Sequence, residues 1–408
     1  MKPMPARREL PSDQNATGRC LGAEELAELE GAIDSGTLTP TKGQAVRSFE
    51  GRFAEQLGVA HAFACTSGTA AVHLALMALD LEPGDEVVTT SVTDMGALAP
   101  ILFQGAIPVF ADVDPETLLV TPASVEARLS ERTRVIIATH LFGCPCDMEG
   151  LRRIAGAHGI ALIEDAAQAY LARWGDRLVG GLGDLGCFSL QQGKHITTGE
   201  GGVVTTDDAE LARRVRLSVN KAWPYGEANP DHEFLALNYR MSELVGAVAG
   251  AQLSKLADVV AARVESAESL TRKLGELPGL RLPRAPEGGV HSYWKYPVFV
   301  DPSRVQGGAV ALGARLQEQG IACAPRYIQK PAFRCRVFQE RRTFGTSQWP
   351  FTLARPEALD WSDAAFPGTW RGLERVLVLP WNERYAAEDV DFIAEAVREA
   401  ASSLEVAA

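Results

Sequence analysis

Short apolar runs alternate with helical patterns between about residues 60 and 206. The candidate strands are His61–Cys65, Glu86–Thr90, Ile107–Ala111, Val135–His140, Ala161–Glu164, Gly186–Leu190 and Gly202–Thr206. Helix-like stretches, such as Ala70–Leu79 and Met148–His158, are predicted in the first five gaps between these strands. This alternation predicts a mostly parallel sheet covered by helices on both faces. The last two strands lie too close together for a helix between them, so one of them is expected to enter the sheet antiparallel.

The rest of the chain predicts long helices and then a change in composition. The segment Ser242–Leu277 is rich in Ala, Leu, Val and charged residues, which is typical of one or two long helices. After Pro278 the composition shifts towards Pro, Trp and Arg. We therefore predict a large domain over residues 1–250, with an N-terminal helix around Ala23–Asp34, and a smaller α+β domain over residues 251–408.

Composition and charge narrow the classes of partner. Of the 408 residues, 46% are hydrophobic and 23% charged, the balance of a globular protein, and the net charge of −12 argues against binding of nucleic acid. No stretch approaches the roughly 20 apolar residues that span a bilayer. The N-terminal segment MKPMPARREL is charged and lacks the apolar run of a signal peptide. We expect a cytoplasmic protein without a membrane partner.

The cysteines favour neither a disulfide framework nor a metal site. Seven of them, an odd number, are spread along the chain. The triplet Cys144-Pro145-Cys146 has no second close pair to complete a set of four ligands. We therefore expect two buried thiols and no metal ion.

A candidate phosphate site lies where the first strand meets its helix. Ser67 and Thr69 are good N-cap residues, and Gly68 lets the backbone approach a ligand closely. A helix N-terminus with free N–H groups and flanking hydroxyls binds phosphate readily. Strand–turn–helix junctions without ligands look similar, so this motif alone leaves a purely structural role open.

Two adjacent carboxylates, Glu164 and Asp165, follow the apolar strand residues Ala161–Ile163. In open α/β sheets, ligands bind at the carboxyl ends of the strands. Because successive strand residues face opposite ways, only one of the two carboxylates can face a given site. A carboxylate there can keep a ring nitrogen protonated. An acidic helix N-cap is the structural alternative.

A lysine in an unusual setting is the most informative signal. Lys194 follows an apolar strand and precedes the glycine-rich turn Gly199–Gly202, in a stretch with few other charges. Gly193 brackets it on the other side. A lone lysine in a loop is usually a solvated charge. This setting is instead typical of a lysine that forms a Schiff base.

These motifs resemble those of one enzyme family. The segments SGTAAVHLAL, EDAAQA and FSLQQGKHITTGEGG are similar to those of the DegT/DnrJ/EryC1/StrS aminotransferases, sugar aminotransferases of the fold-type I pyridoxal-phosphate class. GDEVV, HLFGCPCDM, LNYRMSEL and LPWNERYAAEDV extend the similarity over about residues 20–400. The resemblance implies a mostly parallel α/β sheet sandwiched by helices, with a smaller α+β C-terminal domain, and pyridoxal 5′-phosphate as the cofactor.

The resemblance also implies a role for each matching residue. Lys194 matches the lysine that forms the internal aldimine and shuttles the proton, and Asp165 the carboxylate that pairs with the pyridinium nitrogen. Gln168 matches a residue beside the ring and its phenolic oxygen. The residues that match the phosphate cradle are Ser67, Gly68, Thr69 and Ser189. Asn238 matches an asparagine that reaches the phosphate of the neighbouring subunit, which implies a homodimer with shared active sites; a position next to a helix N-cap is the alternative.

Several positions depart from the family pattern. Where many relatives carry an aromatic residue that stacks on the cofactor ring, this chain has Asp94, and Met95 is a candidate to cover the ring instead. Arg326 and Tyr327 stand where sugar-nucleotide members often show a His-Tyr-Pro run, and they would suit a hydroxyl-rich or carboxylate-bearing substrate. His195 either touches the substrate or makes a local hydrogen bond.

The resemblance implies an aminotransferase with ping-pong kinetics. The amino donor would be L-glutamate or L-glutamine and the acceptor a keto-sugar or ketocyclitol. The product would be an amino sugar or aminocyclitol of an antibiotic or a surface polysaccharide. The departures favour an inosose or a free keto-sugar acid over a nucleotide sugar.

A pyridoxal-phosphate sugar dehydratase or deoxygenase is the main alternative. Some such relatives replace the lysine by histidine, whereas this chain keeps Lys194. Others bind an iron–sulfur cluster through four cysteines, but only Cys323 and Cys335 follow the lysine. A regulatory protein without activity would not need this lysine, and a nicotinamide-binding fold would need a G-x-G-x-x-G turn after the first strand.

Overall fold

The computed structural model describes residues 8–406, so most of the charged N-terminal segment lies outside the described residues. The α-helices are α1 (Ala23–Asp34), α2 (Ala45–Leu57), α3 (Gly68–Ala78), α4 (Ala99–Phe103), α5 (Pro122–Glu126), α6 (Met148–His158), α7 (Ala209–Val219), α8 (Glu243–Leu274), α9 (Gly308–Glu318), α10 (Arg336–Gln339), α11 (Pro367–Arg375) and α12 (Ala387–Ser403). The strands are β1 (His61–Cys65), β2 (Glu86–Thr90), β3 (Ile107–Ala111), β4 (Thr133–Thr139), β5 (Ala161–Asp165), β6 (Arg173–Trp174), β7 (Arg177–Leu178), β8 (Leu185–Ser189), β9 (Gly202–Thr206), β10 (Leu280–Arg281), β11 (Gly289–Val290), β12 (Lys295–Val300), β13 (Ala324–Pro325) and β14 (Val376–Pro380). Each of the seven strands predicted before residue 206 is present, with ends that differ by at most two residues.

A seven-stranded sheet organises the first half of the chain. Its order is β1-β9-β8-β5-β4-β2-β3, and the pairs among β8, β5, β4, β2 and β3 are parallel. Strand β9 runs antiparallel to both β1 and β8, which confirms the predicted antiparallel entry. Because β1 and β8 are both antiparallel to β9, they run parallel to each other, and their carboxyl ends lie at the same edge of the sheet.

Local signals explain where the helices on this sheet begin and end. At α6, the Asp147 side chain accepts a hydrogen bond from the Gly150 N–H at 2.9 Å and caps the N-terminus. Gly159 follows the last turn with a φ of 64°, a left-handed conformation that suits glycine and stops the helix. At α3, Ser67 plays the same capping part as Asp147. These residues therefore explain where α3 and α6 begin and where α6 ends.

The prediction of a helix in each of the first five gaps is wrong for the fifth. Between β5 and β8 the chain instead forms the hairpin β6–β7, to which β11 adds a third strand. The segment Arg173–Gly183 contains four glycines, and Gly175, with a φ of 60°, takes part in the two-residue turn between the paired strands. Glycine costs helix stability, so this composition favours turns over a helix.

Helix α8 is the longest helix among the described residues. It is one unbroken helix of 32 residues, in agreement with the predicted segment, and it packs against α1, α2 and α12. It contains an 18-residue window of mean hydropathy 1.4, long and apolar enough to cross a membrane, so the expectation that no stretch reaches this length is wrong. Half of that window is buried inside the protein, as in a core helix of a folded domain. The predicted domain boundary at residue 250 lies within this helix, and the division into two domains stays a prediction.

The last third of the chain forms a second sheet and a cover for the first. The four-stranded sheet β10-β12-β14-β13 is antiparallel, and α9 and α12 pack on its core. The aromatic stretch over residues 333–370 returns to the edge strand β3, where Phe333 and Phe338 contact Phe110 with ring centroids 5.7 and 5.2 Å apart. This stretch therefore helps to cover β3, whose residues Ile107 and Val109–Ala111 are fully buried although the strand is the last one of the sheet.

Candidate active site

One edge of the large sheet brings the predicted residues together. Asp165 ends β5 and Ser189 ends β8, while Gly202 begins the antiparallel β9 at the same edge. Ser67 lies two residues after the end of β1, whose carboxyl end lies opposite Gly202. Lys194 lies in the loop between β8 and β9. Residues far apart in the chain thus converge because parallel strands end at a common edge.

The loop before α3 forms a close-packed cradle. The Ser67 hydroxyl accepts a hydrogen bond from the Ala70 N–H at 3.0 Å, and the N–H groups of Gly68 and Thr69 have no acceptor within the helix by their position. A Cβ atom at Gly68 would lie 2.7 Å from the Ser189 Cβ, and one at Gly202 would lie 2.3 Å from the Ser67 carbonyl oxygen. Glycine is therefore required at both positions. Free N–H groups, a helix N-terminus and hydroxyls suit a phosphate group.

The two adjacent carboxylates separate as their alternation predicts. The Asp165 carboxylate is buried and accepts a hydrogen bond from the Ala167 N–H at 3.2 Å. Burial raises the pKa of Asp165, while this hydrogen bond and the positive charge of Lys194 act against the increase. Asp165 is thus a buried acidic group that a nearby cation stabilises in its ionised form.

The Glu164 side chain points away from Asp165, and its hydrogen bonds hold the fold together at the turn before β8. Its carboxylate accepts the N–H groups of Gly180, Leu182 and Gly183 at 2.6–2.8 Å and lies 3.0 Å from the Nε2 of His140. Burial alone would raise the pKa of Glu164, but these hydrogen bonds hold that pKa below its ordinary value. The Nδ1 of His140 accepts the Cys146 N–H, so Nε2 carries the proton and donates it to Glu164.

The Lys194 amine lies in an enclosed position between charges of both signs. Burial lowers the pKa of Lys194 to about 8, although Asp165 and Asp94 oppose the decrease. Lys295 adds a second positive charge that lowers the pKa further. An amine with such a pKa is partly unprotonated near neutral pH, which a nucleophilic lysine requires.

Gln168 and Tyr327 both contact Phe142, and Arg326 directly precedes Tyr327 in the chain. The Gln168 side-chain oxygen accepts the Phe142 N–H at 2.8 Å, and the Tyr327 ring stands edge-on to Phe142 with centroids 4.8 Å apart. Burial raises the pKa of Tyr327, with further contributions from Asp94 and Asp165. Arg326 and Tyr327 have φ values of 60° and 47°, a strained backbone that clusters at functional sites. The Arg326 Nε is buried without a partner among the residues the structure describes.

Asp94 begins a short 3₁₀ turn at the mouth of the cradle. It is exposed, and one carboxylate oxygen accepts the Gly96 N–H at 2.8 Å. A Cβ atom at Gly96 would lie 2.6 Å from the Thr69 hydroxyl and 3.0 Å from that same Asp94 oxygen. Met95, the candidate to cover a ring, packs partly buried against the apolar cluster that surrounds α3. The structure thus brings Asp94 and Thr69 to the same face of Gly96.

His195 and Asn238 have different surroundings. His195 is buried, and its Nε2 donates to the Ser292 carbonyl oxygen at 3.1 Å, which is the local hydrogen bond of the two alternatives. Burial lowers the pKa of His195 well below its ordinary value, so the ring is neutral. Asn238 is exposed, and its side chain accepts the Arg240 N–H at 3.2 Å. A role of Asn238 at a second subunit stays a prediction.

Four residues beside Lys194 were not anticipated from the sequence. The Lys295 amine lies 3.3 Å from the buried Asp13 carboxylate, and Arg19 donates to the Lys194 carbonyl oxygen at 2.8 Å. The Trp294 indole N–H donates to the Gly193 carbonyl oxygen at 2.7 Å. The Trp294–Lys295 pair, a cation in an aromatic run, was the available sequence signal, whereas nothing local distinguishes Asp13 or Arg19.

The two cysteines of the close pair are buried and free, as expected. Burial raises the pKa of Cys144 to about 12 and that of Cys146 well above its ordinary value. Among residues 8–406, no group of three or more His, Cys, Asp or Glu side chains is arranged to hold a metal ion.

An amine of lowered pKa, a buried carboxylate and a helix N-terminus with free N–H groups at one edge of a mostly parallel sheet are the features of a pyridoxal-phosphate enzyme of fold type I. The comparison with known families makes the assignment specific. The chain belongs to the DegT/DnrJ/EryC1/StrS aminotransferase family, whose profile matches residues 19–398. The protein is therefore a pyridoxal-phosphate-dependent aminotransferase, and the predicted family, fold, reaction type and cofactor are confirmed.

Named relatives span nearly the same length. The spore coat polysaccharide biosynthesis protein SpsC of Bacillus subtilis is 32% identical over 394 residues, which cover 93% of this chain and 95% of that protein. The GDP-perosamine synthase of Caulobacter vibrioides is 37% identical over 294 residues, 71% of this chain and 78% of that protein. The crystal structure of the aminotransferase TlmJ from Streptoalloteichus hindustanus superposes with a TM-score of 0.81 at 30% identity, covering 95% of this chain and 98% of that one.

Proposed function

We propose that this aminotransferase moves an amino group from L-glutamate or L-glutamine onto a keto-sugar or ketocyclitol. The product would be an amino sugar or aminocyclitol of an antibiotic or a surface polysaccharide. The relatives support the sugar class, since one takes part in spore coat polysaccharide biosynthesis and one is a perosamine synthase. The observation that carries the proposal is the Lys194 amine, whose pKa is lowered to about 8, beside Asp165 at the sheet edge.

Different residues of this chain would bind the cofactor and transfer the proton. Pyridoxal phosphate supplies a carbonyl group for amines and a ring that accepts an electron pair. Ser67, Gly68, Thr69 and Ser189 would hold the phosphate, and Asp165 would keep the ring nitrogen protonated. Lys194 would bind the cofactor covalently and, when free, move a proton between the substrate carbon and the cofactor. Gln168 would border the ring, and a site used by both substrates in turn gives ping-pong kinetics.

The substrate would contact polar groups, including a carboxylate at the position where many relatives have an aromatic residue. Asp94 offers a carboxylate oxygen to hydroxyl groups, and Tyr327 adds a buried hydroxyl. The buried Nε of Arg326 has no partner within residues 8–406, so it would be available to donate to an oxygen of the substrate. His195 would support the loop rather than touch the substrate, because its proton is donated to the Ser292 carbonyl oxygen. A hydroxyl-rich ring, such as an inosose or a free keto-sugar acid, suits this set.

The active unit would be a homodimer in which Asn238 serves the neighbouring site. Leu235 and Leu237, just before Asn238, are 94% and 55% exposed, an unfavourable position for apolar side chains unless another surface covers them. A cavity of about 560 Å³ opens next to this segment, lined by Arg47, Glu50 and Arg240 among others. Such a dimer would act in the cytoplasm, without nucleic acid or membrane.

The visible absorption spectrum of the purified protein tests the proposal. A yellow protein that bleaches on addition of L-glutamate or L-glutamine has taken the amino group, which identifies the donor. A yellow protein that responds to neither has another donor or is a dehydratase. A matched sample of the Lys194→Ala variant serves as the control, because it cannot bind the cofactor covalently.

A further inference from the structure

Both carbonyl groups next to the Lys194 side chain are held by donors from distant parts of the chain. The Trp294 indole N–H donates to the Gly193 carbonyl oxygen at 2.7 Å. Arg19 Nη1 donates to the carbonyl oxygen of Lys194 itself at 2.8 Å. The Lys194 N–H in turn donates to the Gln191 carbonyl oxygen at 2.9 Å. The backbone of the lysine is thus fixed on both sides.

Trp294 differs from the other donors because it also contacts the amine. The Lys194 Nζ lies 4.4 Å from the centre of the indole ring, within the range of a cation–π interaction. The Lys295 Nζ lies 5.0 Å from the centre of the same ring. One side chain therefore touches the lysine loop at its backbone and at its reactive atom.

We propose that Trp294 is the positioning residue of Lys194, with its N–H fixing the carbonyl group before the lysine and its ring holding the amine. The proposal rests on the proposed function, in which Lys194 is the reactive lysine. A lysine that alternates between covalent attachment and proton transfer has to return to one place each time it is free. The indole face provides that place, and the hydrogen bond keeps the loop from carrying the amine away from it.

The electrostatic consequence of the ring contact has a definite sign. The charged groups that face the Lys194 amine are Asp165, Asp94, Lys295 and Asp13. The indole face adds attraction for the protonated amine, so it raises the pKa of Lys194 above the value that burial and these charges alone would set. Loss of the ring removes that contribution and moves the pKa down. A side chain that merely fills space would alter stability without this shift.

The test measures the protonation of Lys194 in the full-length protein freed of cofactor. Competitive acetylation at a series of pH values, followed by mass spectrometry of the Lys194 peptide, gives the midpoint of its titration. Trp294→Met keeps an apolar side chain without a ring, and we expect the midpoint to fall by about half a pH unit or more. Trp294→Phe keeps a weaker ring and loses the N–H, so the midpoint should fall less and the Lys194 amide hydrogen should exchange faster.

Trp370→Phe is the matched control. Trp370 is also partly buried and has a cation over its ring, at 5.9 Å from Arg334, but it lies away from Lys194 in the chain segment that covers β3. It should leave the Lys194 midpoint unchanged. An unchanged midpoint in Trp294→Met would overturn the proposal. If that variant does not fold, an unaltered midpoint together with unaltered amide exchange in Trp294→Phe has the same meaning. Neither result depends on turnover, so the role of Lys194 in the reaction is tested separately.

Discussion

At the scale of single residues, burial determines what the Lys194 amine can do. A solvated lysine is almost fully protonated near neutral pH, whereas burial lowers the pKa of Lys194 to about 8. Asp165 shows the opposite effect of the same enclosure, since burial raises its pKa. Each group limits the shift of the other because their charges attract. A change in the charge of one residue is therefore expected to shift the pKa of the other.

Replacement of the lysine is the direct test of its role. In Lys194→Ala, we expect noncovalent binding of pyridoxal phosphate and a decrease in turnover of about a thousandfold or more, because both the covalent attachment and the proton carrier are lost. The absorption spectrum and the steady-state rate measure the two effects. Lys42→Ala, at an exposed position, is the control and should retain wild-type activity. Substantial residual activity in Lys194→Ala would remove this lysine from the mechanism.

At the scale of elements, Glu164 fixes the turn that replaces the expected helix between β5 and β8. Its carboxylate accepts three backbone N–H groups of the Gly180–Gly183 turn and the proton of His140. An amide at this position would turn one acceptor into a donor that faces other donors. The free energy of unfolding in Glu164→Gln should therefore fall by about 1–3 kcal/mol. Thermal or urea unfolding measures it, with the exposed Glu395→Gln as the control.

The stabilisation of the folded protein by Glu164 also depends on pH. The hydrogen bonds hold the pKa of Glu164 in the folded protein below its ordinary value of 4.5. The stabilisation is thus fully present above pH 4.5 and is lost as the pH falls through the lower, folded-state value. The difference in unfolding free energy between wild type and Glu164→Gln should shrink in that acidic range. A difference that is constant down to low pH would contradict the assignment of an ionised Glu164.

The close contact between Gly202 and the loop before α3 leads to a second prediction at this scale. A methyl group at Gly202 would lie 2.3 Å from the Ser67 carbonyl oxygen and 2.9 Å from the Gly68 nitrogen, so Gly202→Ala should displace the loop before α3. We expect the Kd for pyridoxal phosphate to rise by about tenfold or more. Titration of the cofactor absorbance measures it. In Gly51→Ala, where the new Cβ atom meets nothing within 4 Å on an exposed helix position, affinity should be unchanged.

At the scale of the whole molecule, the exposed segment before Asn238 fits the proposed homodimer. Leu235 and Leu237 are exposed beside the cavity that Arg240 borders. The described residues of one chain therefore leave apolar surface next to a residue proposed to serve a second site. Covering this surface with a second copy would bury it and bring Asn238 to the neighbouring phosphate cradle.

Mixing two inactive variants tests this arrangement. If Asn238 acts across subunits, dimers that combine Asn238→Ala with Lys194→Ala contain one complete site. Random exchange of equal amounts should then restore about a quarter of the wild-type sites. If Asn238 acts within its own subunit, no complete site forms and the mixture stays inactive. Size-exclusion chromatography is the control for dimer formation, and co-purification of the untagged variant with an affinity-tagged one is the control for subunit exchange.

Local patterns sufficed for much of this architecture. The seven strands before residue 206, helix α6 and the antiparallel entry of one of the last two strands were predicted because strand alternation, caps and loop lengths act over a few residues. Lys194, Asp165 and the Ser67–Thr69 turn could be selected because parallel strands end at one edge, so residues at strand ends meet. The helix expected between β5 and β8 is absent because the four glycines of Arg173–Gly183 favour turns over a helix.

The sequence by itself determined the seven strands of the large sheet and the family, and it singled out Lys194 as the candidate for the reactive lysine. Only the tertiary structure decided what surrounds that lysine. Trp294 and Arg19 are 100 and 175 residues away from it, and their contacts exist because the second sheet and the N-terminal segment pack against the loop after β8. Such contacts depend on the packing of elements that no local pattern encodes. The pKa of Lys194 likewise depends on burial, which arises only when the chain has folded.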